Sequence, residues 1–150
     1  MTRTNAREIA MHLVFAMEYT DELPEELLLV RFEDEYYPRL AEETEVYAEK
    51  PDENSLRYIE NVVRGVYLTQ NELNSAIARY AVGWPLNRIS GLAKAIMRVC
   101  MYEIDHVDDV SAAAAINEAV ELTRRYEDED TVAFVNGILG SFVRGKEEEA

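Results

Sequence analysis

Side chains that could do chemistry are few and scattered in this 150-residue sequence. His12 and His106 lie far apart, and neither stands at a spacing that is typical of paired metal ligands. Aspartates flank His106 within residues 105–109, but we interpret this cluster as a solvated helix end. Cys100 recurs with apolar residues at helical spacing, which favours a small buried side chain over a nucleophile. We therefore predict no metal site.

The glycines and the acidic residues also lack the arrangement that an enzyme needs. No glycine-rich motif for phosphates occurs, and the 6 glycines are scattered along the chain. Acidic residues could supply general acids, but no spacing selects one pair of them. The sequence therefore favours a protein that binds over one that catalyses, and it predicts no cofactor.

Charge is the most unusual property of the composition. The formal net charge is −15, and residues 18–53 alone carry 14 acidic and 3 basic side chains, a net of −11. Affinity for nucleic acid depends largely on contacts between cations and phosphates. The composition by itself therefore disfavours nucleic-acid binding.

The expected compartment follows from cysteine usage and from the lengths of the apolar runs. One cysteine cannot form an internal disulfide, which fits a reducing compartment. No run approaches about 18 apolar residues, and the N-terminal residues do not resemble a signal peptide. We expect a cytoplasmic protein.

Helical periodicity organises the chain. Asn5 and Glu8 resemble a capping box at the first helix, and Pro38 is expected to end or kink the second. We predict an all-α, compact helical bundle of about six or seven helices in a single domain, residues 1–150. Residues 41–54 are predicted to be an acidic mobile connection or a short helix, and residues 145–150 a frayed charged tail. Apolar residues recur at helical spacing within residues 6–17, 56–80, 92–104, 112–125 and 131–142, and less regularly within 27–40.

The last segment permits two interpretations. Asn136 and Gly137 between two apolar runs form the strongest short hairpin signal in the chain. Phe134, Ile138 and Phe142 instead form one face of a helix. We favour the helix, because an isolated two-stranded hairpin with no sheet to join is only marginally stable.

Polar residues interrupt two apolar segments near the C-terminus. Asn117 and Glu118 lie within an alanine-rich helix, and Asn136 lies within the last segment. An unsatisfied buried polar group costs about 1–3 kcal/mol, so such side chains need partners. Either they bond each other or nearby backbone and tie two helices together, which we favour, or they present polar groups to a binding partner.

Three segments in a fixed order make the chain recognisable. They are AIMRVCMYEI at residues 95–104, AINEAVEL at 115–122 and FVNGIL at 134–139. Together they resemble the NusB family of bacterial transcription antitermination factors, and the resemblance covers nearly the whole chain. Trp84 and Arg88 stand where the family often has these residue types. The resemblance implies an all-helical fold in two sub-bundles.

The resemblance also implies a function that composition alone does not suggest. Family members bind the boxA sequence of nascent ribosomal RNA transcripts, best as a heterodimer with NusE, a small-subunit ribosomal protein. The complex joins RNA polymerase with the other Nus factors and suppresses premature termination, without catalysis or cofactor. Because the chain is acidic, we expect it to bind boxA-type RNA weakly alone and to be assisted by its basic partner.

The family's functional positions carry over residue by residue. Phe15 fits a core aromatic equally well, and Ala133 stands where some relatives carry a lysine. Ala93 replaces a common acid, and Ser111 replaces a common proline, although a serine there still caps a helix. The residues that the resemblance implies for RNA are Arg3, Arg7, Phe15, Asp130, Thr131 and Phe134, and those that it implies for the protein partner are Lys94, Arg98, Tyr102 and Glu103.

A protein-interaction bundle that has lost RNA binding is the alternative function. The acidic composition and the few N-terminal arginines favour it. Substituting Arg3 and Arg7 separates the two functions, since only RNA binding depends on these cations. An exposed apolar helix face would allow a homodimer, so the sequence leaves the oligomeric state open.

Overall fold

The computed structural model describes residues 1–149, most of which are helical. Within that range eight α-helices and two 3₁₀-helices occur and no strand occurs, which confirms the all-α prediction. No helix in this part of the chain is long and apolar enough to cross a membrane. The α-helices are α1 (Arg3–Tyr19), α2 (Pro24–Arg31), α3 (Tyr37–Leu40), α4 (Glu53–Leu68), α5 (Gln70–Tyr80), α6 (Gly91–His106), α7 (Ala112–Tyr126) and α8 (Glu129–Glu149).

The chain divides into two compact units, Met1–Leu68 and Thr69–Ala150. In the first unit α1 packs against α2 and α4, and in the second α8 packs against α5, α6 and α7. This division agrees with the two sub-bundles that the resemblance implied. The most deeply buried apolar residues are Ile9, Met11, Leu13, Ile59, Val62 and Val63 in the first unit, and Ile77, Ile96, Met97, Met101 and Leu139 in the second.

Short polar side chains cap the helices, although the first helix begins earlier than predicted. Thr2 Oγ1 accepts a hydrogen bond from the Asn5 N–H at 3.1 Å, so α1 begins at Arg3. The prediction of a start at Asn5 was wrong, because the Thr2 hydroxyl caps the helix three residues earlier. Ser111 Oγ caps α7 as predicted, by accepting a hydrogen bond from the Ala114 N–H at 3.1 Å.

The α-helices exceed the predicted number because two segments are interrupted. Thr69 adopts φ −110° and ψ 14°, and this departure from helical geometry divides the apolar stripe at residues 56–80 between α4 and α5. Pro38 neither ends nor kinks a helix, contrary to expectation. It lies in the first turn of α3, where a missing N–H costs no helical hydrogen bond. After α5 the chain turns at Gly83, whose φ of 84° suits glycine.

The acidic connection at residues 41–54 contains a 3₁₀-helix, Glu45–Ala48, so the short-helix alternative is the one found. Its anchor is Tyr47, which is buried. The Tyr47 hydroxyl accepts a hydrogen bond from Arg31 Nη1 at 2.5 Å and lies 2.7 Å from His12 Nδ1. One buried aromatic residue therefore holds a segment that is otherwise mostly charged.

The burial of two tyrosines in the first unit predicts that the free energy of unfolding falls at alkaline pH. Burial raises the pKa of Tyr37 and that of Tyr47 from 10.0 to about 12. In the unfolded chain these phenols ionise near pH 10, so the stability that they contribute is present below pH 10 and is lost as the pH rises towards 12. We expect the Tyr47→Phe variant to lose less stability across this interval, by on the order of 2 kcal/mol.

Urea unfolding at several pH values within that interval measures the effect. The comparison uses the slope of the unfolding free energy against pH, because Tyr47→Phe also removes the hydrogen bond from Arg31 at every pH. The exposed Tyr19 supplies a matched control, Tyr19→Phe, which should keep the slope of the unsubstituted protein. Identical slopes for Tyr47→Phe and the unsubstituted protein would contradict the prediction.

The C-terminal residues stay helical, contrary to the prediction that residues 145–150 fray. Helix α8 continues to Glu149, and the last residue lies outside the described part of the chain. Lys146 Nζ forms an ion pair with Asp105 Oδ1 at 2.6 Å. A second ion pair joins Arg79 to Glu149 at 3.4 Å. The charged end is thus connected to the rest of its unit at two points.

Candidate nucleic-acid interface

The first turn of α1 presents one arginine to solvent. Arg3 is exposed, and its guanidinium carbon lies 4.3 Å from the centroid of the Tyr58 ring on α4. A cation–π contact at an exposed site contributes about 0.5–1 kcal/mol, so Tyr58 orients the cation without enclosing it. Arg3 is therefore placed where a phosphate group can approach.

The second arginine of α1 does not lie at the surface. Arg7 is 4% exposed and belongs to an unbroken run of buried residues, 6–11. Interactions within the fold hold its side chain. The expectation that Arg3 and Arg7 form one exposed basic surface is therefore corrected. Their spacing of four places both on one side of α1, but only Arg3 lies beyond the core.

Phe15 lies one turn before the end of α1 and is half-buried. Its ring centroid is 5.0 Å from that of the exposed Tyr19, at an interplanar angle of 59°. Phe15 thus packs on the fold and still offers part of its ring to solvent. An unpaired base can stack on aromatic surface of this kind.

An aspartate cap fixes the start of α8. Asp128 Oδ1 accepts hydrogen bonds from the N–H and from the hydroxyl of Thr131, each at 2.8 Å. These bonds lower the pKa of Asp128, because they stabilise its ionised form. Asp130 is exposed beside the cap. Because the Thr131 hydroxyl already donates its proton to Asp128, only its oxygen lone pairs are available to a ligand.

A small cleft beside this cap contains an aromatic residue that the sequence did not select as a site residue. The cleft has a volume of ≈ 180 Å³, and Trp84, Arg88 and Phe134 contribute to its walls. Trp84 is 55% exposed, and its ring lies edge-to-face against that of Phe134, with 5.8 Å between the centroids. The sequence contained one signal for this site. Trp84 stands beside Pro85 and outside every predicted apolar helix face, so its ring was not expected to be buried in the core.

Of the four α6 residues implied for the protein partner, three are buried. Arg98 is buried, and its Nε donates a hydrogen bond to Asn74 Oδ1 at 2.8 Å. Tyr102 is buried, which raises the pKa of its phenol, and Glu103 is fully enclosed. Lys94 is half-buried. Almost every residue in the middle of α6 is buried, and its polar residues are enclosed with the apolar ones. The contact of these four residues with a protein partner stays a prediction, and Lys94 is the most accessible of them.

The polar residues of α7 and α8 lie at the surface. Asn117 and Asn136 are exposed, and Glu118 is half-buried. The prediction that the asparagines are buried and tie two helices together was wrong, because both stand outside the buried stripes of their helices. The other interpretation, that these residues present polar groups to a partner, stays a prediction.

The residues that could bind a metal ion or act as a nucleophile do not form a site in the described part of the chain. Among residues 1–149 no group of three or more His, Cys, Asp or Glu side chains could hold a metal ion. Cys100 is buried, as predicted. His106 is exposed and packs on Tyr102, with 4.8 Å between the ring centroids. What the candidate sites provide is cations for phosphates and aromatic rings for bases, in each unit separately.

Comparison with known proteins accounts for nearly the whole chain. The model of the NusB family matches residues 4–144. The chain belongs to the NusB family. The transcription antitermination protein NusB of Acetivibrio thermocellus is 38% identical over 97% of this chain and 91% of that protein. The NusB protein of Symbiobacterium thermophilum is 35% identical over the same shares, 97% and 91%.

Solved structures share the fold of this NusB family member. T. maritima NusB is similar with a TM-score of 0.76 and 26% identity, over 96% of this chain and 92% of that chain. A chain in a crystal structure of the antitermination factors NusB and NusE with double-stranded RNA has a TM-score of 0.74. That similarity, at 20% identity over 95% of this chain and 96% of that chain, concerns the fold alone.

Proposed function

We propose that this chain is a transcription antitermination factor that binds boxA-type RNA of ribosomal RNA transcripts together with the ribosomal protein NusE. The family match carries the proposal, because it spans residues 4–144 and the relatives are named as transcription antitermination proteins. In this role the chain acts in the cytoplasm with RNA polymerase and the other Nus factors. It supports processive transcription by binding and catalyses no reaction.

The proposed contacts to single-stranded RNA are of two kinds. Arg3 supplies a phosphate contact, because its guanidinium is exposed at the start of α1. Phe15 and Phe134 supply stacking surface, and stacking contributes about 1–3 kcal/mol per base. Asp130 and Thr131 supply hydrogen-bond acceptors for the edges of bases at the start of α8.

The acidic charge explains why this factor needs a basic partner. A net charge of −15 repels a phosphate backbone at long range. A basic ribosomal protein bound to the chain adds the missing cations, and opposite charge accelerates the encounter of the two proteins. The two proteins together therefore form the RNA-binding unit.

Fluorescence anisotropy of labelled boxA RNA tests the proposal, with and without NusE and at two salt concentrations. We expect weak binding by the chain alone and tight, sequence-specific binding in the presence of NusE. Arg3→Ala should weaken this binding. It should also flatten the dependence of log K on log[salt] by about 0.7, the value for one phosphate contact with a single strand.

Arg57 provides a matched control in the same unit. Arg57 is also exposed on a helix, its Nη1 is paired with Glu53 Oε1 at 3.0 Å, and it is not among the residues proposed to contact RNA. Arg57→Ala should leave the affinity for RNA and the salt dependence unchanged. The proposal fails if boxA RNA binds no better than a scrambled RNA in every condition.

A protein-interaction bundle without RNA binding is the second candidate. The burial of Arg7 favours it, because one of the two N-terminal cations is enclosed in the fold. Under this alternative NusE still binds the chain, and the chain does not increase the affinity of NusE for boxA RNA. The anisotropy experiment distinguishes the two candidates directly.

A further inference from the structure

The cleft beside the start of α8 contains an aromatic ring that the fold does not enclose. Trp84 is the one tryptophan of the sequence and is 55% exposed. Its edge-to-face contact with Phe134 leaves much of the indole surface open to a further ring. Trp84 and Phe134 together give the cleft an aromatic wall, which suits a ligand with a flat apolar face.

Two charges at this cleft have no partner within the described residues. The side chain of Arg88 is exposed and forms no hydrogen bond or ion pair there, and the same holds for the side chain of Asp130. Elsewhere in this acidic chain, Arg64 and Arg124 each contact two carboxylates. Arg88 therefore differs from these exposed arginines in that its five donors remain available to a ligand.

We propose that this cleft binds one unpaired nucleobase of the RNA, preferentially guanine, by stacking it on Trp84 between Arg88 and Asp130. This inference rests on the proposed function, because it names the nucleotide that one part of the RNA-binding surface takes. The volume agrees with it. At ≈ 180 Å³ the cleft lies below the range of about 300–1,000 Å³ that is usual for small-molecule sites, so it suits a single ring system.

Guanine carries the edges that match these two charges. Arginine commonly bonds the O6 and N7 atoms of guanine, which are both acceptors. The N1–H and N2–H groups of guanine are donors, and a carboxylate such as that of Asp130 accepts from both. Uracil has no amino group, and adenine has no O6 acceptor. Stacking on Trp84 then supplies affinity, and the two charged residues supply the preference for one base.

The carboxylates of the cleft argue against a phosphate as its occupant. Asp128 and Asp130 both line it, and Ser90, also in its wall, donates a hydrogen bond to Glu127. A phosphate beside these acids would meet like charge, whereas the amino group of a base is attracted to them. The phosphates of the bound strand therefore lie outside the cleft.

Tryptophan fluorescence reports on this cleft alone, because the chain has a single tryptophan. The emission of Trp84 is recorded during titration with boxA RNA, while the anisotropy of a labelled boxA RNA is followed in parallel. NusE is present, with any tryptophan of its own replaced by phenylalanine. We expect the emission to be quenched in step with the rise in anisotropy, because a stacked base lies against the indole.

Substitutions separate stacking from a general loss of fold. Trp84→Ala should weaken RNA binding about five- to 150-fold, the range that corresponds to one stacked base. Trp84→Phe should restore most of the affinity, since a phenyl ring also stacks. Tyr36→Ala removes an exposed aromatic residue outside the cleft and should change nothing. Replacing the guanines of the RNA by adenine, one at a time, should weaken binding to the unsubstituted protein at one position and have little effect with Asp130→Asn.

The possible results distinguish a failure of the proposed base site from a failure of the proposed function. RNA binding with unchanged Trp84 emission and with full affinity of Trp84→Ala overturns the cleft and leaves the proposed function intact. An equal effect of every guanine replacement overturns the preference for guanine. Quenching by NusE alone, with Trp84→Ala losing NusE, means that the cleft takes a protein and overturns the inference. No RNA binding in any condition overturns the proposed function itself.

Discussion

Replacing Arg7 by alanine is expected to lower the free energy of unfolding by about 1–3 kcal/mol, because alanine cannot make the interactions of this buried side chain. Arg7 is 4% exposed and interacts with other groups of the fold. Its removal leaves polar groups of the interior without their partner, and each such group costs about 1–3 kcal/mol. The neighbouring Glu8 is buried as well, so water cannot easily replace the lost guanidinium.

Arg3→Ala is the matched control for this prediction, because it makes the same change one helical turn earlier. Arg3 is exposed, and its contact with Tyr58 contributes at most about 1 kcal/mol. Urea denaturation followed by circular dichroism measures both variants. Equal losses of stability in the two would show that Arg7 is not part of the interior. A larger loss of stability in Arg7→Ala than in Arg3→Ala, with RNA affinity lowered only in Arg3→Ala, is the expected pattern.

Leu139→Ala is expected to destabilise the second unit by about 2–5 kcal/mol, through lost apolar burial and the cavity that is left behind. Leu139 is 0% exposed on α8, the helix that packs against α5, α6 and α7. Because Leu139 is fully buried on a helix that packs against three others, a smaller side chain is expected to leave a cavity that its surroundings fill only in part. The loss should therefore lie towards the upper part of that range.

Leu29→Ala makes the same substitution on a helix surface. Leu29 is 78% exposed on α2, so its truncation removes little buried area and should change the unfolding free energy by less than about 0.5 kcal/mol. Thermal unfolding and urea unfolding of the two variants give the comparison. A loss below about 1 kcal/mol for Leu139→Ala would mean that α8 does not pack as described, because replacing a buried leucine by alanine usually lowers the unfolding free energy by more than this.

Helical periodicity and the family's sequence segments were sufficient to predict the fold class. The apolar stripes at residues 92–104 and 131–142 repeat at helical spacing, and Ser111 marks a helix start, because these signals depend only on near neighbours in the chain. The helix at Asn136 was predictable over a hairpin for a different reason, since the sequence predicts no sheet that a hairpin could join. Segments such as residues 115–122 identify the family for the same reason, since they are short strings that can be read without knowing what packs against them.

Burial of polar residues was decided only by the tertiary structure. Arg7 and Glu103 lie inside, whereas Asn117, which its place within an apolar segment suggested to be buried, lies outside. The cleft at Trp84 was also out of reach of the sequence, because it requires the loop after α5 and the start of α8 to meet. Helix formation is a local property of the chain, but exposure depends on which distant residues cover a side chain, and no local pattern contains that information.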